Sequence, residues 1–123
     1  MKIGYFVSLK ETGGSLNQTK GFLNKINKIN SEDKLTIITD DPNGIEQLKS
    51  TNIEVLYFKK SLLKKFYFFL IGFLSTNKFF SFKISNPFEI FVKKNNIDLL
   101  IFSNPSFFSK YCENIDYVIN IWN

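Results

Sequence analysis

The sequence predicts an α/β fold: a doubly wound parallel sheet of about five strands, in the order 3-2-1-4-5, held between two layers of helix. Three observations predict it. Short runs dense in β-branched and aromatic residues alternate with stretches of helical period, as successive strand–helix units require. Most of the strand runs are apolar almost throughout, the pattern of strands covered on both faces. At 123 residues the chain is long enough for one ordinary core and too short for two. Residues 1–123 are therefore read as a single domain.

The elements follow in order. Met1 to Leu9 is the first strand, with Ile3, Tyr5, Phe6, Val7 and Leu9, and it closes in the loop Lys10-Glu11-Thr12-Gly13-Gly14. Ser15 and Gln18 have the spacing of a capping box, after which Leu16, Phe22, Leu23, Ile26 and Ile29 fall near helical period to about Asn30. Lys34 to Thr39 is the second strand. A short helix runs from Asn43, with Glu46 as its capping partner, to about Ser50, and Ile53 to Phe58 is the third strand. A basic, aromatic helix spans Ser61 to about Ser75. Beyond a break at Thr76-Asn77, another helix opens at Asn86, with Pro87 in its first turn and Glu89 three residues in. Ile97 to Phe102 is the fourth strand, Asn104-Pro105-Ser106 opens a short helix toward Tyr111, and Asp116 to Trp122 is the fifth strand. Each crossover is long enough for a helix, and right-handed winding to both sides of strand one places strands two and four beside it.

Composition narrows the chemistry. The chain is 44% hydrophobic and 17% aromatic, which excludes a disordered or low-complexity polypeptide. It contains no His, and all 16 basic residues are Lys. The commonest general base, the commonest zinc ligand and any bidentate arginine clamp are thereby removed, so no metal site and no catalytic residue is assigned. The one cysteine, Cys112, has neither a second Cys nor a His to work with and is read as a buried small residue. Met1 leads straight into strand one without the apolar segment and cleavage site of a signal peptide, so the expected setting is the reducing cytoplasm.

The net charge of +5 has one address. Between Glu54 and Glu89 there is no acidic residue, while Lys59, Lys60, Lys64, Lys65, Lys78 and Lys83 all lie there, beside nine Phe. The uncharged run 66–77 is too short to span a bilayer, which takes about 20 residues. A basic, Phe-rich helix of this kind fits a segment lying in the headgroup region of an anionic membrane. Lys59, Lys60, Lys64 and Lys65 would meet lipid phosphates, and Phe66, Phe69 and Phe73 the acyl boundary. A buried core helix flanked by solvated lysines fits the same residues. Nucleic acid is not expected, because the Phe cluster in a run as apolar as a core instead of spacing out as stacking platforms.

Ligand chemistry points to the loop after strand one. In an open parallel sheet ligands sit beyond the carboxyl ends of the strands, where a helix N-terminus presents free N–H groups to an anion. Gly13 and Gly14, followed by Ser15, allow a phosphate or sugar to approach the backbone there, although a plain turn explains the same glycines. Asp40, 26 residues after Gly14, stands where a dinucleotide-binding fold holds a ribose hydroxyl. Asp40-Asp41-Pro42-Asn43 also reads as a turn and helix cap.

Several segments together resemble a family. Met1-Lys2-Ile3-Gly4-Tyr5-Phe6-Val7-Ser8, the Gly13-Gly14 loop, Asn52-Ile53-Glu54-Val55-Leu56-Tyr57, Asn96-Ile97-Asp98-Leu99-Leu100-Ile101-Phe102 and the Asn104-Pro105-Ser106 turn look like the Rossmann-like amino-terminal domain of GT-B glycosyltransferases. The nearest group is the bacterial family 4 enzymes of cell-surface polysaccharide assembly. The closing strand of that family runs into a Trp-Asp or His-Asp turn, matched here by Trp122-Asn123 with Asn in place of Asp. The resemblance implies an acceptor-binding half, on a basic apolar surface, for a glycan or lipid-linked acceptor. It implies a glycine loop, Gly13 and Gly14, facing the donor diphosphate, and a carboxyl-terminal domain that holds the nucleotide sugar, a substrate rather than a cofactor. The chain stops straight out of a strand, so it is expected to be a truncated amino-terminal half, inactive alone and peripheral on the inner face of the cell membrane. The alternative is a free-standing peripheral membrane or nucleotide-binding module without catalysis.

Overall fold

In the computed structural model, β1 (Lys2–Val7), β2 (Lys34–Thr39), β3 (Glu54–Tyr57), β4 (Leu99–Phe102) and β5 (Asp116–Ile119) form one sheet in the order β3-β2-β1-β4-β5. Every neighbouring pair is parallel. Described are residues 1–8, 14–29, 32–76, 86–103, 108–109, 112 and 114–119, the side chains of 14, 15, 71, 72 and 74–76 aside. Among them are four helices: α1 (Gly14–Ile29), α2 (Pro42–Lys49), α3 (Leu62–Thr76) and α4 (Pro87–Lys94). The order of the strands is the one the sequence predicts. Of the expected helix at 104–111 only Phe108 and Ser109 are described, while Leu9, Gly13 and the end of the fifth strand lie outside the described residues.

Alternation along the strands divides the core between the two faces. Ile3, Tyr5 and Val7 of β1 join Leu35 and Ile37 of β2 in a cluster closed by Leu23 of α1 and Leu48 of α2. Phe6 and Ile38 point the other way, into a cluster with Phe68 of α3, Phe88 and Val92 of α4, and Phe58, Leu100, Phe102 and Phe108. Helices α1 and α2 thus cover one face and α3 and α4 the other, the division that crossovers of one hand produce on either side of β1. Gly4 lets the second layer come close: a Cβ there would lie 2.9 Å from Ile97 Cγ2 and 3.0 Å from Ile38 Cδ1. The α3/α4 face is an aromatic core, with Phe88 stacked on Phe108 at 4.8 Å between centroids and edge-on to Phe6 and Phe58 at 5.6 and 5.4 Å.

The helix ends show how local chemistry sets the turns. The spacing predicts α2 to open at Asn43, but its cap is Asp41, whose carboxylate accepts from the Asn43 N–H at 2.9 Å. Pro42 explains the shift, since it has no N–H to satisfy and its fixed φ suits the first helical position. For α4 the expected cap holds: Asn86 Oδ1 accepts from the Glu89 N–H at 2.9 Å, with Pro87 next in line. Both helices then unwind through a left-handed Asn, Asn52 at φ 55° and Asn96 at φ 57°, which turns the chain straight into the following strand.

At the amino edge of the sheet, Glu54 joins three strands. Its Oε2 accepts from the Thr36 hydroxyl at 3.0 Å and lies 3.3 Å from Lys34 Nζ and 3.4 Å from Lys2 Nζ. The Thr36 hydrogen bond first, and the two ammonium groups with it, hold the Glu54 carboxyl below its ordinary value against the opposing effect of partial burial. A carboxyl depressed in the folded state stabilises above its unfolded value, and that contribution disappears as pH falls through the folded one. Between pH 6 and pH 3 the wild type should therefore lose more stability than Glu54→Gln. The difference should be less than about 1 kcal/mol, because the side chain is 41% exposed and screened. Urea unfolding at the two pH values measures it, and equal losses in both proteins would contradict the assignment.

Candidate functional site

The order β3-β2-β1-β4-β5 puts the topological switch point between β1 and β4, since the chain leaves β1 to one side and returns to the other. Ligands of open α/β sheets bind at the carboxyl end of such a point. Here that end is formed by Ser8 after β1 and Ser103 after β4, with the Ser103 N–H bonded to the Phe6 carbonyl at 3.3 Å. Helix α1 begins at Gly14, two residues before the Leu16 start that a Ser15 cap predicts, so Ser15 lies within its first turn and is not its cap. Gly14 and Ser15 thus stand at the helix start that follows β1. Gly13 lies outside the described residues.

One strand over, the carboxyl ends of β2 and β3 are tied together. Asp40, mostly buried, forms an ion pair with Lys60. Thr39, fully buried, accepts from the Phe58 N–H through its carbonyl at 2.9 Å and from the Asp41 N–H through its hydroxyl at 3.3 Å. The Asp40 carboxylate, a candidate for ribose, is thus already engaged by a cation that the chain supplies itself. No group of three or more His, Cys, Asp or Glu able to hold a metal is found among the described residues.

The basic aromatic helix divides into two populations. Phe68 is buried against Phe108, with centroids 5.7 Å apart. Phe66, Phe69 and Phe73 are 60%, 68% and 62% exposed, and Leu62 and Leu63 are more exposed still. The lysines divide too. Lys60 pairs with Asp40 and lies 5.0 Å over the Phe108 ring. Lys64 donates to the Lys59 carbonyl at 3.1 Å and lies 4.8 Å over the Phe58 ring. Lys59 and Lys65 are exposed, with no ion-pair partner among the described residues.

No family model, no curated protein and no solved structure matches the chain. The site therefore has to be read from its own geometry.

That geometry adds one residue that pattern reading did not mark as more than a cap. Glu89 is fully buried on α4. Its Oε1 accepts from Asn86 Nδ2 at 3.2 Å, and its Oε2 from the Asn114 backbone N–H at 3.3 Å and Asn114 Nδ2 at 3.1 Å. It anchors the segment leading into β5. Only its position in the capping box was visible in the sequence, since Asn114 is 25 residues away. Cys112 is buried, as expected, and its thiol donates to the Phe108 carbonyl at 3.3 Å. Burial, with the nearby Glu89 charge, pushes that thiol up to about 12, so it stays protonated and unreactive at neutral pH.

Proposed function

We propose that this chain is the acceptor-side half of a bacterial glycosyltransferase of GT-B architecture, which moves a sugar from a nucleotide donor to a glycan or lipid-linked acceptor in cell-surface polysaccharide synthesis. The observation that carries the reading is the switch point between β1 and β4, with α1 opening at Gly14 just beyond it. This is where a fold of this class receives a ligand. The first N–H groups of a helix have no intrahelical acceptor and suit an anionic group, and Ser8 and Ser103 stand at the neighbouring carboxyl ends of β1 and β4. The resemblance places the donor-binding contacts and the paired carboxylates of the reaction on a second α/β domain, carboxyl-terminal to this one. In this reading the role of the present residues is to bind and orient the acceptor, at the inner face of the cell membrane. A second reading, a peripheral membrane module without catalysis, is favoured by the exposed apolar side of α3.

Two titrations followed by amide NMR on the 123-residue chain test the proposal and separate the readings. A short-chain prenyl-diphosphate-linked sugar should shift the amides of Ser8, Gly14 and Ser103. Uridine and guanosine diphosphate sugars should bind only at millimolar concentration, because a helix N-terminus contributes on the order of 0.3 to 1 kcal/mol to an anion. Micromolar affinity for a nucleotide sugar would place the donor site on this half and overturn the assignment. A prenyl-linked sugar that leaves those three amides unmoved would favour the non-catalytic module.

A further inference from the structure

Helix α3 carries an exposed apolar seam. Leu62, Phe66, Phe69 and Phe73 are 85%, 60%, 68% and 62% exposed. Their spacing of four, three and four residues keeps them within about 60° of one another at 3.6 residues per turn. The seam is about 16 Å long at 1.5 Å per residue. Exposed Leu63 and Leu70 widen it on one side, and exposed Lys65 borders it on the other. The opposite side of the helix is anchored through buried Phe68. The seam is therefore the outer surface of a helix whose inner surface is already used.

We propose that α3 docks this protein onto an anionic bilayer, lying in the plane of the headgroups with the seam in the acyl boundary, and that apolar insertion supplies most of the attachment. The helix is about 22 Å long, short of the roughly 30 Å of a hydrocarbon core, and no described helix is long and apolar enough to cross a membrane. An amphipathic helix with Phe and Leu on one side and Lys at its border is the form that binds in the interface. Charge selects the occupant. With no acidic residue between Glu54 and Glu89, a second copy of α3 would bring lysine against lysine, whereas lipid phosphate complements Lys59 and Lys65. The balance between apolar and ionic attachment follows from the engaged lysines. Lys60 and Lys64 are held back by Asp40 and by the Lys59 carbonyl, so two of the four lysines around the start of the helix remain for lipid. Leu62 and Leu63 stand just after Lys59 and Lys60, which follow the carboxyl end of β3. The seam thus begins at the carboxyl end of the sheet, where the switch point also opens. Docking stands apart from sugar transfer, since it would serve a non-catalytic module equally well.

Co-sedimentation of the chain with vesicles of phosphatidylcholine, with and without phosphatidylglycerol, tests this. The wild type should pellet with the anionic vesicles. Raising salt from 0.1 to 1 M, which shortens screening from about 10 to 3 Å, should weaken binding but leave a resistant remainder. Lys59→Gln with Lys65→Gln should lose up to about fivefold per lysine, no more. Joint replacement of Phe66, Phe69 and Phe73 by Ser should lower binding at least a hundredfold while far-UV circular dichroism stays unchanged, because the three rings lie on the outside. Phe66→Trp supplies a reading that keeps an aromatic ring: relative to wild type, its added emission should move to the blue on vesicles and be quenched by lipids brominated in the acyl chain. The proposal is overturned if the wild type stays in the supernatant, if the triple Ser variant pellets like wild type, or if the added emission of the Phe66→Trp variant is unmoved. A dimer in analytical ultracentrifugation that the triple Ser variant dissolves would assign the seam to a second copy instead. Failure here would leave the amide titration with the prenyl-linked sugar untouched, so the two proposals can fail separately.

Discussion

Replacing Phe88 with alanine should cost about 3 to 5 kcal/mol, the range for deleting a large aromatic from a core. Phe88 has no exposed surface and touches Phe6, Phe58, Phe102 and Phe108, whose rings come from β1, the segment after β3, β4 and the segment after β4. No neighbour can fill the void without leaving its own place. Against a total stability of about 5 to 15 kcal/mol for a domain of this kind, the variant should be close to unfolding at room temperature. The control is Phe69→Ala, from an exposed ring on the neighbouring helix α3, which should stay within about 0.5 kcal/mol of wild type. Urea unfolding of both variants measures the contrast. Similar losses in the two would mean that the inner and outer sides of the α3/α4 layer are wrongly assigned.

Glu89→Ala should cost about 2 to 3 kcal/mol. Three N–H donors, from Asn86 Nδ2 and from the backbone and Nδ2 of Asn114, lose their acceptor at once. Asn86 Nδ2 is buried, and losing this acceptor costs about 1 to 3 kcal/mol, whereas Asn114 is exposed and its two donors can turn to water. Glu89→Gln should fall between wild type and alanine, since its amide keeps one oxygen but turns an N–H group toward a donor. The two variants should also differ from Phe88→Ala in where the structure loosens. Asn114 leads into β5, which among the described residues pairs only with β4, so hydrogen exchange should quicken first in β5 and only later in β1 and β2. A Glu89→Ala protein within about 1 kcal/mol of wild type, with β5 still protected, would show that the network contributes little.

These two residues mark the boundary of what a linear reading reaches. Phe88 and Glu89 stand side by side behind the start signal Asn86-Pro87, and that signal was legible because a cap, a first-turn proline and an acid three residues in are local chemistry. The role of each beyond the cap was not legible. Phe88 meets rings 82 and 20 residues away, and Glu89 meets Asn114, contacts that exist only once the sheet has formed. The glycine loop shows the same boundary. A helix start after strand one could be read from its spacing, whereas the switch point beside it exists only because β4, far along the chain, pairs with β1.

The amino-acid sequence by itself determined the element types, the parallel order β3-β2-β1-β4-β5 and the concentration of lysine and phenylalanine between Glu54 and Glu89. Periodicity, caps and the handedness of crossovers are properties of short segments and of the chain's own chirality. Only the tertiary structure decided which phenylalanines are core and which are surface. Phe68 and Phe69 are neighbours in the chain, but about 100° of helical rotation separates them, and the phase of α3 is set by what Phe68 finds in the aromatic core of the sheet. Only the tertiary structure likewise divided the lysines, because Asp40 reaches Lys60 through the adjacency of β2 and β3, a pairing that no spacing along the chain contains.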